Sequence, residues 1–206
     1  MTTIPTIDDI RTAATRIRPH IHRTPVLTSS SINRMLGGEI FFKCENFQKA
    51  GAFKIRGATN AIFSLSEDAL AHGVATHSSG NHAAALALAA HLRGVKAYVV
   101  MPENAAQVKK NAVAGYGAQI TFCVPTLEAR EAHLARIVAE TGAVFIPPYN
   151  DERIIAGQGT AALELLEDIP NLDAVMTPIG GGGLTSGTAL VVRALSPYTR
   201  MIAVEP

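Results

Sequence analysis

An alternation that begins near Gly73 is the strongest constraint on how this chain can fold. Short β-rich runs at Val74–Thr76, Ala97–Met101, Gln119–Val124 and Val144–Ile146 are separated by stretches of helical pattern at His82–Arg93, Ala105–Tyr116 and Leu127–Glu140. Along the last of these, Leu134, Ile137, Val138 and Thr141 recur at the i, i+3, i+4, i+7 spacing of one buried helix face. Parallel strands need crossovers of about helix length, so this cadence predicts a parallel sheet with helices on its faces and right-handed connections. Gly94, Gly115, Gly117 and Gly142 fall where these helices are expected to end. A second series follows: helix Thr160–Leu166, strand Ala174–Pro178, a glycine turn, helix Leu184–Leu195 and strand Met201–Val204. Ahead of the alternation the pattern gives a helix at Ile7–Ile17 and a strand at Ile40–Cys44. Pro147-Pro148 is the best boundary signal, since neither residue can donate to a ladder or continue a helix.

Composition removes several function classes. At 206 residues, 48% hydrophobic and 17% charged, the chain suits one large α/β domain or two small ones and is too apolar to be disordered. A net charge of +1, with no basic run longer than Lys109-Lys110, offers nucleic acid no grip through counterion release. The longest apolar stretch, Ala83–Ala90, is too short to cross a bilayer. No charged-then-apolar leader opens the sequence, which predicts a cytoplasmic protein. Cys44 and Cys123 form no CxxC and are expected as buried thiols. The histidines show no HExxH or comparable spacing, so they predict no metal site.

Three stretches can carry chemistry. Gly51-Ala52-Phe53-Lys54-Ile55-Arg56-Gly57-Ala58 places a lysine at a glycine-flanked helix start beside two large apolar residues. Desolvation there would lower its pKa and make the amine a usable nucleophile toward a carbonyl; the plainer reading is a surface lysine. His77-Ser78-Ser79-Gly80-Asn81-His82 follows a strand and opens an alanine-rich helix. Hydroxyls, an amide and free N–H groups at a helix start make an anion receptor suited to a carboxylate, although Ser and Asn are also ordinary caps. Gly180-Gly181-Gly182-Gly183 lies between a strand and a helix and can present several N–H groups to one phosphate. It matches neither a dinucleotide fingerprint, whose third glycine position falls on Ser186 or Thr185, nor a P-loop, which needs Gly-Lys-Ser/Thr. Glu205 is a lone acid at a strand end. Amine, carboxylate receptor and phosphate cup all fall at strand C-termini or helix starts, where open parallel sheets bind ligands. A phosphorylated aldehyde that forms an imine with lysine, pyridoxal phosphate, would join all three.

In chain order, Thr24-Pro25-Val26-Leu27, Phe42-Lys43-Cys44-Glu45-Asn46-Phe47-Gln48-Lys49, the Lys54 stretch, Ser78-Ser79-Gly80-Asn81-His82, Ala156-Gly157-Gln158-Gly159-Thr160 and Gly180–Gly183 resemble the serine/threonine dehydratase and serine racemase family. These are fold-type II pyridoxal phosphate enzymes. The resemblance implies an α/β fold of two open, twisted, mostly parallel sheets flanked by helices. Residues 1–48 would begin a large cofactor domain, 49–148 would form a small domain, and 149–206 would continue the large one. Relatives continue well beyond Pro206, so the large domain is expected to be incomplete. By the same resemblance Lys54 is the lysine that holds the cofactor and moves the α proton, with Phe53 setting its geometry. Ser78, Ser79, Asn81 and His82 would hold the substrate carboxylate, Asn81 also meeting the cofactor. Ser79 would be the acid/base of the opposite face in racemases. Gly180, Gly181, Gly182 and Gly183 would cup the phosphate, Asn150 would contact the cofactor, and Glu205 would ligate a divalent cation (magnesium or calcium). The implied function is dehydration of L-threonine, L-serine or a related β-hydroxy amino acid to a 2-oxo acid and ammonia, by a homodimer. Serine racemase is the near alternative. An inactive fragment that binds cofactor or a partner segment is the non-enzymatic one. Ala52 departs from the serine common before Phe-Lys in relatives.

Overall fold

The computed structural model describes residues 4–205, so the outer ends of the first and third expected stretches, Met1–Thr3 and Pro206, lie outside the described residues. Helix α1 (Ile7–Ile17) begins as expected, with a capping box: the Thr6 hydroxyl accepts from the Asp9 N–H and the Asp9 carboxylate accepts from the Thr6 N–H. It buries Ile10, Ala13 and Ile17. Strand β1 (Val26–Thr28) pairs antiparallel with β2 (Phe41–Lys43) around helix α2 (Ser30–Leu36). The sequence pattern shows only the second strand, because runs this short leave no period to read.

Helices α3 (Lys54–Phe63) and α4 (Glu67–Leu70) lead into the predicted alternation. It runs β3 (Val74–His77), α5 (Asn81–Arg93), β4 (Ala97–Pro102), α6 (Gln107–Gly115), β5 (Gln119–Cys123), α7 (Leu127–Thr141) and β6 (Val144–Phe145). The four strands form one parallel sheet in the order β5-β4-β3-β6. Alternate residues of β3 and β4 serve two layers. Val74, Val99 and Met101 join a core with α3 and the alanines of α5, while Ala75 and Val100 join a second core with Leu134 and Ile137 of α7. Gly94 and Gly142 end α5 and α7 in left-handed conformation, whereas Gly115, expected at a helix end, is the last residue of α6 and Tyr116 caps it.

Helix α8 spans Glu152–Asp168, far longer than the expected Thr160–Leu166. Strand β7 (Ala174–Pro178), helix α9 (Gly183–Leu195) and strand β8 (Arg200–Val204) follow, β7 and β8 parallel. The added N-terminal part of α8 contains Gly157 and Gly159, residues of low intrinsic helix propensity. In three dimensions they let helices touch backbone to backbone. A Cβ on Gly157 would lie 2.6 Å from the Gly57 Cα and 2.7 Å from the Arg56 carbonyl oxygen. We expect Gly157→Ala to cost about 1–3 kcal/mol, since no flexible side chain can yield there. Thermal unfolding should show it, with Gly38→Ala, whose Cβ would meet nothing within 4 Å, close to wild type.

An open groove of about 1090 Å³ runs between β2, α2, α8 and β7, with Glu205 on its lining. Cys44 and Cys123 are buried free thiols. Among the described residues no helix is long and apolar enough to cross a membrane, and no group of three or more His, Cys, Asp or Glu is placed to hold a metal.

Candidate active site

Lys54 is the first residue of α3, half-buried, and its Nζ donates to the Pro148 carbonyl oxygen at 2.6 Å. The Phe53 ring centroid lies 5.3 Å from the same nitrogen. Burial pushes the amine below the ordinary lysine value of 10.5, the direction a carbonyl-directed nucleophile needs.

The turn from β3 into α5 carries the second stretch. Gly80 occupies the N-cap position and supplies no side-chain cap, so the first N–H groups of α5 stay open to a ligand. Ser78 Oγ accepts from the Gly80 N–H at 3.2 Å. Ser79 is exposed, and Asn81 Oδ1 accepts from Lys109 Nζ at 2.9 Å. His82 is placed otherwise than a carboxylate-binding side chain would be. It is 2% exposed and turned inward, with Nε2 3.3 Å from the Ile146 carbonyl oxygen. A carbonyl can only accept, so Nε2 carries the proton. Burial, with a smaller contribution from the Lys54 charge, pushes the His82 pKa down to about 3. This imidazole is neutral, and only its backbone N–H belongs to the turn.

The glycine turn joins β7 to α9. Gly182, at φ 87°, caps α9 with no side-chain hydrogen bond, which again leaves helix N–H groups open. A Cβ on Gly180 would meet nothing within 4 Å. On Gly181 it would lie 2.1 Å from the Tyr149 ring, so the aromatic side chain covers that glycine. The sequence pointed to Asn150 here; its side chain is exposed, and it is Tyr149 that touches the turn. Glu205 is exposed on the groove, which Glu39 and Glu45 also line, and it belongs to no group of three or more His, Cys, Asp or Glu placed to hold a metal among the described residues.

One segment brings the three stretches together. Ile146 accepts from His82 at the start of α5, Pro148 accepts from Lys54 at the start of α3, and Tyr149 lies on the glycine turn before α9. In sequence Pro147-Pro148 read as a boundary; in the fold it is the strap on which the site is assembled. The sequence reading also missed Arg56, fully buried two residues beyond Lys54. Its guanidinium bonds both carboxylate oxygens of Glu45 and of Glu164 at 2.7 to 2.9 Å, and the Thr160 hydroxyl at 3.1 Å. Lys43 adds a 2.7 Å ion pair to Glu164. Burial lowers the pKa of His77, just before Ser78, and of the two nearby charges of α7 Arg130 lowers it further while Glu131 opposes it.

Residues 17–206 match the family described as "Pyridoxal-phosphate dependent enzyme". The chain is 57% identical over 203 residues to a β-hydroxyaspartate dehydratase of Paracoccus denitrificans, covering 98% of this chain and 64% of that one. It is 54% identical over 201 residues to a serine racemase of Dictyostelium discoideum, covering 98% and 62%. The solved structure of maize serine racemase superposes with a TM-score of 0.98 at 53% identity, over 99% of this chain and 62% of that one. The chain thus spans a little over three-fifths of these relatives. By its matched length, its fold and the identity it shares with these relatives, this chain belongs to the pyridoxal phosphate-dependent enzymes.

Proposed function

We propose that this chain carries the cofactor- and substrate-binding part of an ammonia-lyase that converts a β-hydroxy amino acid to a 2-oxo acid and ammonia. The observation that carries the reading is the strap Ile146–Tyr149, which ties an amine of lowered pKa, a carboxylate-receptive helix start and a glycine turn into one site. The residues present fit pyridoxal phosphate. The open N–H groups before α9, at Gly180–Gly183, suit its phosphate, and Lys54 Nζ suits its aldehyde. When bound, the cofactor supplies an electron sink that acidifies the α proton of the attached amino acid.

The chain's own residues do the rest. Lys54 Nζ would hold the cofactor's aldehyde and, as a neutral amine, would take the α proton on its face of the site. Ser78, Ser79 and the N–H groups of Asn81 and His82 hold the substrate carboxylate and so fix which Cα bond is broken. Phe53 walls the lysine, and Asn81, whose Oδ1 accepts from Lys109, would be a contact of the cofactor. Asn150 and Glu205 remain part of the proposal as a cofactor contact and as a ligand for magnesium or calcium. So do the homodimer and the division into 1–48, 49–148 and 149–206.

Among β-hydroxy amino acids, Arg130 near His77 favours one with a second carboxylate, in keeping with the name of the Paracoccus relative. The test is to supply pyridoxal phosphate with L-serine, L-threonine or 3-hydroxyaspartate and measure the 2-oxo acid and ammonia formed. We expect Arg130→Gln to lower kcat/KM for 3-hydroxyaspartate about tenfold more than for serine, the size of one lost charged contact. Equal effects on both substrates would remove Arg130 from the account. Racemisation is the second reading, favoured by the exposed Ser79. D-serine formed from L-serine, lost in Ser79→Ala while 2-oxo acid formation persists, would decide for it. Cofactor capture with no product of either kind would leave a binding fragment.

A further inference from the structure

We propose that His82 is a positioning residue for Lys54, acting through the strap: its Nε2–H holds the Ile146 carbonyl, and so sets the Pro148 carbonyl on which Lys54 Nζ rests. The inference rests on the reading of Lys54 as the cofactor-binding amine.

The strap has few ways to hold itself. Ile146 N–H donates to the Ala75 carbonyl at 2.9 Å, the last bond it makes to the sheet before two prolines that have no N–H to give. Side chains hold it instead. The Ile146 carbonyl accepts from Thr76 Oγ1 at 2.8 Å and from His82 Nε2 at 3.3 Å, and both donors are buried. Two residues on, the Pro148 carbonyl receives Lys54 Nζ at 2.6 Å. The proline rings restrict φ at Pro147 and at Pro148, so a displacement at Ile146 is carried to the Pro148 carbonyl rather than absorbed. The titratable groups that face His82 are Lys54 and His77. His82 Nδ1 is buried and has no hydrogen-bonding partner among the described residues. An uncharged amide can therefore replace the ring's one working donor, whereas a hydrocarbon cannot.

The test compares His82→Gln, which keeps a donor, with His82→Leu, which keeps bulk alone. Each full chain is labelled at its amines across a pH series and Lys54 is followed by mass spectrometry, alongside the absorbance of the pyridoxal phosphate adduct. With the strap loosened, water reaches Lys54. We expect its labelling midpoint in His82→Leu to rise by about one pH unit toward the ordinary lysine value. His82→Gln should stay within a few tenths of wild type. Thr76→Val, which removes the other donor with little change in shape, should shift the midpoint the same way by less. It carries the test if His82→Leu does not fold. An unchanged midpoint in folded His82→Leu, or in Thr76→Val should His82→Leu not fold, overturns the inference. So does a His82→Gln midpoint equal to that of His82→Leu. A wild-type Lys54 that labels as an ordinary lysine and forms no adduct would sink the function reading itself, which separates the two failures.

Discussion

Arg56→Met is expected to destabilise the chain by about 3–5 kcal/mol, because it leaves two inward-turned carboxylates without their common cation. Wild-type Arg56 is 0% exposed, and its donors meet Glu45, Glu164 and Thr160. With Lys43 the group carries two positive and two negative charges, so removing one member breaks a neutral set. In a chain of this length such a loss lowers Tm by about 10 °C. The pH dependence identifies the cause. Burial works against the Glu164 carboxylate, but hydrogen bonds and charge from Arg56 and Lys43 outweigh it and hold its pKa below the ordinary value of 4.5. A depressed carboxylate gives stability that is present above the unfolded pKa and is lost as pH falls through the folded one. Wild type should therefore lose this contribution below about pH 4.5. The variant, whose stranded Glu164 carboxylate is relieved by protonation, should fall behind wild type most near pH 7 and least near pH 4. Thermal melts across that range check it. A gap that does not change with pH would mean that lost packing, not stranded charge, is the cause.

Lys54→Ala carries the second large effect. It should abolish the absorbance of the cofactor–lysine adduct and cut any turnover by about 10³ or more, since one residue both anchors the cofactor and moves the proton. Burial keeps the Lys54 pKa below that of a free lysine, so a larger share of the amine is neutral near pH 7 to 8. In wild type, adduct formation should therefore rise with pH, with its midpoint below the ordinary lysine value of 10.5. Stopped-flow absorbance against pH reads both. Wild-type kinetics in Lys54→Ala would remove this lysine from the site.

The parallel sheet was legible because each of its βα units repeats a pattern longer than noise. Its strands fall within a residue or two of the expected positions, and α9 is one residue longer than read. The elements that were missed have physical reasons. Strand β1 has three residues, and the added part of α8 contains glycines whose role is a helix contact formed only in the folded state. The site was legible as three stretches but not as an arrangement. Lys54, Ser79 and Gly180–Gly183 announce themselves by residue type. The strap announces itself only as two prolines, the same signal a linker gives. His82 illustrates the limit best. Sequence places it on the receptive turn, but its direction is decided by a carbonyl 64 positions away. Arg56 was invisible for the same reason, its partners Glu45 and Glu164 lying 11 and 108 positions off.

The most direct measurement is borohydride reduction of the chain after incubation with pyridoxal phosphate, followed by peptide mass spectrometry. The account predicts one reduced adduct at Lys54, absent in Lys54→Ala and competed by L-serine or 3-hydroxyaspartate. An adduct formed instead on an exposed lysine such as Lys96, or none on a folded chain, would contradict it.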